Sequence, residues 1–138
     1  MLGGHCLKTW SATQKSVTLS SAEAELVAAV KMSTELLGMC QLADDWDIKV
    51  DARLMVDSAA ALGVMGRRGN GKLRHVRVGM LWVQERVEDG DLDISKVKGE
   101  DNPADLMTKH LGQRVIQKHL EYLGQGREDG RAGESLRI

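Results

Sequence analysis

The chain has 138 residues, 42% hydrophobic and 28% charged, with a formal net charge of −1 and a pI near 6.4, which fits one domain with a modest core and excludes a uniformly basic nucleic-acid binder. Cys6 and Cys40 are too few for a disulfide framework and have no Cys-x-x-Cys or histidine spacing for zinc. No uninterrupted apolar run of about 18 residues and no basic-apolar leader argues for membrane insertion or secretion, so a soluble intracellular chain, cytoplasmic or nuclear, with reduced thiols is expected.

In chain order, Lys15-Ser16-Val17-Thr18-Leu19 alternates β-branched with polar residues and predicts a half-buried strand. It feeds a helix over 20–43, with Leu26, Val30, Leu37 and Cys40 on one side for packing against a sheet. Ser20 and Glu23 have the spacing of a capping box, which gives Glu23 a structural task. Glu25, two positions on, lies about 200° further round the helix and is the better candidate for chemistry.

Arg53-Leu54-Met55-Val56-Asp57 predicts a short apolar strand that ends at an acid and passes into an Ala-rich helix. In open α/β sheets ligands bind at the carboxyl ends of strands, which makes Asp57 a candidate site residue. The alternative is that Asp57 caps the helix beginning at Ser58.

Between Asp57 and Glu85 there is no acid, while Arg67, Arg68, Lys72, Arg74 and Arg77 supply five bases. Arg67-Arg68-Gly69-Asn70-Gly71-Lys72 forms a Gly-rich basic loop, and Arg74, His75 and Arg77 open a helix over 73–88 whose apolar positions are Val76, Met80, Val83 and Val87. Such a stretch can track phosphates without reading sequence; a solvated surface loop is the plainer alternative. The loop lacks the Gly-Lys-Ser/Thr ending of a P-loop.

Leu92 to Val97 alternates as a strand, and Asn102 as N-cap with Pro103, the only proline, at the first position predicts a helix start. Asp105 then falls in the first turn, where a negative charge is favoured for stability alone. A last helix is expected over 112–123 with Val115, Ile116 and Leu120, followed by a disordered tail over 124–138 that is poor in apolar residues. With no Phe, the core must rely on Leu, Val, Ala and Met, with Trp10, Trp46 and Trp82 as its large pieces.

Taken jointly, these elements resemble the ribonuclease H domain at the end of copia-type (Ty1/copia) retrotransposon Pol polyproteins. The likeness rests on Trp10 to Ser20, Ala24-Glu25-Leu26, Val56-Asp57-Ser58, Lys72 to Val78 and Asn102-Pro103-Ala104-Asp105-Leu106-Met107-Thr108-Lys109, in order, over residues 1–123. It implies an α/β, ribonuclease H-like three-layer fold with a mixed central sheet, here lacking the first strand and most of the second, whose remaining arm would run from Lys8 to Leu19 after a turn at Met1-Leu2-Gly3-Gly4.

The resemblance assigns Glu25, Asp57 and Asp105 to three of the family's four metal-binding acids, converging on Mg²⁺ or Mn²⁺, and sets His75 at a family position where binding or packing is expected; the basic stretch read above, Arg67, Arg68, Lys72, Arg74, His75 and Arg77, would then meet the phosphates of an RNA–DNA hybrid. Phosphodiester hydrolysis of this type uses two ions roughly 3.5 to 4 Å apart, held by hard carboxylate oxygens. No Asp or Glu precedes Glu23, so the first acid is missing and the site is expected to be incomplete. The loop from Lys98 to Asp101 also lacks the helper histidine that many ribonucleases H carry. Two readings follow: an endonuclease domain acting on RNA–DNA hybrids during reverse transcription, beside the upstream reverse transcriptase region of a polyprotein and weak or inactive here, or a non-catalytic remnant that at most binds nucleic acid.

Overall fold

Ser20 starts the longest element. It sits in the extended region and its Oγ accepts the Glu23 amide at 3.2 Å, opening α1 (Ser21–Asp44). The buried hydroxyl of Ser33 donates to Ala29 O at 2.8 Å, so a polar group fully withdrawn from water stays satisfied. The helix ends in a turn over 45–47, where Asp47 takes φ +58° and Ile48 N–H bonds Ala43 O.

This computed structural model describes residues 1–14, 18, 20–69 and 78–126. The chain divides into a middle unit, Thr13–Gly99, and a terminal unit made of Met1–Ala12 and Glu100–Ile138. The architecture is α/β: among the described residues there are four α-helices and one two-stranded parallel sheet.

In the middle unit, β1 (Arg53–Val56) pairs in parallel with β2 (Asp93–Lys96), in a register that sets Arg53 against Asp93 and Val56 against Lys96. Parallel neighbours need a long crossover, and here α2 (Ala59–Met65) and α3 (Val78–Glu88) lie within it. The core gathers Leu26 and Ala29 of α1, Ala52, Leu54, Ala61, Val64, Met65, Met80, Val83 and Leu92. The expected faces of α1 and α3 are therefore the ones that pack, with Val30, Leu37, Cys40 and Val87 half-buried against this cluster. Gly79 permits close helix contact, since a Cβ there would stand 2.9 Å from Val30 Cγ1.

Arg86 closes the turn from α3 to β2, reaching Asp91 at 2.6 Å and Asp89 at 3.0 Å. The buried amide of Gln84 donates to Val64 O at 2.7 Å and Gly69 O at 3.2 Å. It thereby satisfies a carbonyl in the last turn of α2, where intrahelical partners run out.

By length and composition alone α1 is long and apolar enough to cross a membrane, which a search for an unbroken apolar run misses. Of its 24 residues Leu26, Ala29 and Ser33 are buried, Leu26 and Ala29 within the apolar cluster of the middle unit.

In the terminal unit, Leu2 and His5 bond each other's backbone at 2.9 and 3.1 Å across Gly3-Gly4. Positive φ at Gly3, +56°, suits a type II′ turn. Asn102 Oδ1 accepts the Ala104 amide at 3.2 Å and opens a 3₁₀ turn, Pro103–Met107. The expected helix stops there because Thr108 leaves helical geometry, its hydroxyl bonding back to Ala104 O. The last helix, α4 (Gln113–Tyr122), ends in a Schellman motif: Gly124 has φ +67°, and its amide and that of Gln125 bond Glu121 O and Leu120 O.

Several expectations are corrected. Trp46 is 68% exposed in the turn after α1, where no element covers it. In α4, Val115 and Ile116 are exposed while His119 and Leu123 are buried. Lys8 to Gln14 form no strand, because a strand needs a ladder partner and no strand among the described residues pairs with them. The strand expected over Lys15 to Leu19 falls mostly outside the described residues, as do the start of the helix expected from 73 and the tail from 127.

Candidate functional site

Glu25 lies in the second turn of α1 and is exposed. Asp57 follows β1 directly and is half-buried. The helix after it is capped by Ser58, whose Oγ accepts the Ala61 amide at 3.2 Å, so the capping role open to Asp57 in the sequence belongs to its neighbour. Val97 N–H bonds Val56 O at 2.9 Å, which puts Asp57 at the carboxyl edge of both strands. Within the middle unit α1, which carries Glu25, packs against β1, the strand that Asp57 follows.

Asp105 belongs to the terminal unit. It is 8% exposed in the first turn after Asn102-Pro103. Lys109 Nζ stands 2.9 Å from its Oδ2, and Lys109 N–H bonds Asp105 O at 2.9 Å. The sequence signal for this pair was the Asp–Lys spacing of four, which went unread. Beyond it, Lys118 of α4 reaches Asp101 Oδ1 at 2.5 Å and Glu100 O at 3.4 Å. The hydrogen bond to Asp101 lifts the Lys118 ammonium above the ordinary lysine range, burial opposing and the charges of Asp101 and Glu100 adding.

The three candidate acids are thus divided, two in the middle unit and one in the terminal unit. Within neither unit do three or more His, Cys, Asp or Glu side chains of the described residues group so as to hold a metal ion. By donor chemistry the carboxylates suit Mg²⁺ or Mn²⁺; the described residues do not assemble a two-ion cradle inside either unit.

Of the basic stretch, Arg67 and Arg68 are exposed after α2, and Arg68 pairs with Glu88 of α3. Lys72, Arg74, His75 and Arg77 lie outside the described residues. Gln84, which holds Gly69 O, anchors the start of this loop. A glutamine inside an amphipathic helix carries no sequence mark of that role.

Three curated proteins match the chain. The Retrovirus-related Pol polyprotein from transposon TNT 1-94 of Nicotiana tabacum is 26% identical over 88% of this chain. Those from transposons RE2 and RE1 of Arabidopsis thaliana are each 26% identical, over 99% and 89% of it. The chain is similar to a segment of retrotransposon Pol polyproteins. It spans only 9 to 10% of the length of these relatives. No family model and no solved structure matches it.

Proposed function

We propose that the chain is the ribonuclease H-type segment of a retroelement Pol polyprotein, a partial domain over residues 1–123 that acts on RNA–DNA hybrids during reverse transcription beside an upstream reverse transcriptase region. The observation that carries this reading is the position of the acids in a chain whose Pol likeness covers 88 to 99% of it. Glu25 stands near the start of α1, Asp57 at the carboxyl end of β1, and Asp105 in the turn opened by Asn102-Pro103. Glu25, Asp57 and Asp105 are the residues to hold Mg²⁺ or Mn²⁺, which when bound supplies an activated water and charge for the leaving oxygen. Arg67 and Arg68, with Lys72, Arg74, His75 and Arg77, are assigned to the phosphates of the hybrid.

No acid precedes Glu23 in these 138 residues, so the activity proposed for them alone is weak. The second reading is a remnant that binds nucleic acid without cleaving it. Hybrid cleavage and hybrid binding by the full chain, measured with Mn²⁺ across a salt series, test both. The expected result is salt-sensitive binding with slow cleavage that Asp57→Asn removes. Binding without any cleavage selects the remnant. Turnover typical of a complete ribonuclease H, abolished by Asp57→Asn, overturns the incomplete site, and neither binding nor cleavage overturns the ribonuclease H reading.

A further inference from the structure

We infer that the turn closing α1 is a docking surface for a protein segment that carries lysine or arginine around an apolar anchor. Three large apolar side chains lie open there: Leu42 is 49% exposed, Trp46 68% and Ile48 46%. The backbone gathers them. Asp45 N–H still bonds Gln41 O at 3.0 Å, which sets Trp46 about one helical turn beyond Leu42, and Ile48 N–H returns to Ala43 O at 2.9 Å. Asp47, at φ +58°, turns the chain between Trp46 and Ile48. Apolar residues exposed singly are ordinary, whereas a tryptophan with two aliphatic neighbours in one turn presents a contiguous anchor. Tryptophan is among the side chains that carry most of the binding energy at protein interfaces.

The charge around this anchor selects its occupant. Between residues 44 and 51 four acids, Asp44, Asp45, Asp47 and Asp51, stand with one base, Lys49, and all five are exposed. Lys49 is drawn to Asp44 at 2.6 Å, and Arg53, the next base, to Asp93 at 2.9 Å. The negative field reaches back along the helix: burial lifts the Cys40 thiol above the ordinary cysteine range, and the Asp51 charge adds to it. A negative rim repels the phosphates of nucleic acid and of anionic lipid. It also repels its own image, so two copies do not pair through this face. A basic segment is attracted, and its apolar residues cover Trp46. An interface of this size is weak and transient, with charge setting the approach and the tryptophan setting the lifetime.

Titration of the full chain with three synthetic peptides of equal length tests this: a Leu–Lys amphipathic peptide, its Leu–Glu counterpart and a Ser–Lys peptide, followed by the Trp46 indole N–H resonance and by the anisotropy of a label on the peptide. The Leu–Lys peptide is expected to bind and to shift the Trp46 resonance, and the other two to bind about tenfold or more weakly. Trp46→Ala is expected to lower the affinity about tenfold or more. Asp45→Asn with Asp47→Gly removes two charges and keeps the turn, since glycine accepts positive φ; the affinity is expected to fall severalfold and its salt dependence to flatten. These variants change exposed side chains only, so a loss of binding is not a loss of fold. Wild-type affinity in Trp46→Ala, or equal binding of the Leu–Glu peptide, overturns the docking surface. Binding of the Leu–Lys peptide that leaves the Trp46 resonance in place overturns it too. A Trp46 resonance that moves with protein concentration alone assigns the face to a second copy and overturns the basic partner.

Discussion

The middle unit and the terminal unit are held by different physics. In the first, ten apolar residues from three helices, the sheet and its flanks form one buried cluster. In the second, the buried residues among those described are Asp105, His119 and Leu123, two of them polar. Apolar burial is non-directional and scales with area, whereas the terminal unit depends on contacts that need a particular partner: Asn102 on Ala104, Lys109 on Asp105, Lys118 on Asp101, and the Gly124 turn. The difference teaches where each unit is vulnerable. The middle unit fails by losing volume, the terminal unit by losing charge or hydrogen-bond geometry.

Removing volume gives the largest expected effect. Met65 is fully buried between α2 and the rest of the core, and Met65→Ala is expected to cost about 2 to 5 kcal/mol through lost transfer energy and a cavity. Urea unfolding of the middle unit, read by the shift in midpoint, checks it; a loss under about 1 kcal/mol, the size of an ordinary surface change, would break the contrast. The middle unit also has one polar exception. Gln84→Ala leaves Val64 O without its side-chain donor and frees Gly69 O, at an expected cost of about 1 to 3 kcal/mol. Trypsin cleavage after Arg67 and Arg68 should quicken in parallel. Unchanged cleavage would mean that Gln84 does not anchor the loop.

What was legible in the sequence follows the same division. Periodicity marked α1 and α3 because their apolar faces meet a common core, and Leu26, Met80 and Val83 are buried as that pattern requires. Caps were legible too: Ser20 and Asn102 act as N-caps through local hydrogen bonds that their spacing already encodes. The terminal unit was harder to read. In α4 the apolar residues Val115 and Ile116 stay exposed while His119 is buried, because a unit with so few apolar neighbours sets no strong preference for which face turns inward. The candidate acids could be placed on their elements, as Asp57 after β1 shows, but Lys109 was missed as the partner of Asp105. Its spacing of four from Asp105 encodes the contact, and the stop of the turn that lets it form is local, with the Thr108 hydroxyl bonded to Ala104 O.

The smallest effect probes the terminal unit alone. Lys118 has its ammonium stabilised chiefly by the hydrogen bond to Asp101, with burial opposing and the Asp101 and Glu100 charges adding. A lysine whose pKa is raised on folding contributes stability that is complete below the unfolded value, about 10.4, and is lost as pH rises through the higher folded value. The contact of Lys118 with Glu100 and Asp101 is therefore expected to weaken only at strongly alkaline pH, and modestly, since the side chains of Lys118 and Asp101 are half open to solvent and screened. Following the Lys118 side-chain ¹³Cε shift through an alkaline titration gives the midpoint directly. Asp101→Asn should lower that midpoint, and added salt should bring the two proteins closer together. Coincident titrations at low salt would show that this ion pair does not hold the terminal unit, and its cohesion would then rest on the backbone caps at Asn102 and Gly124.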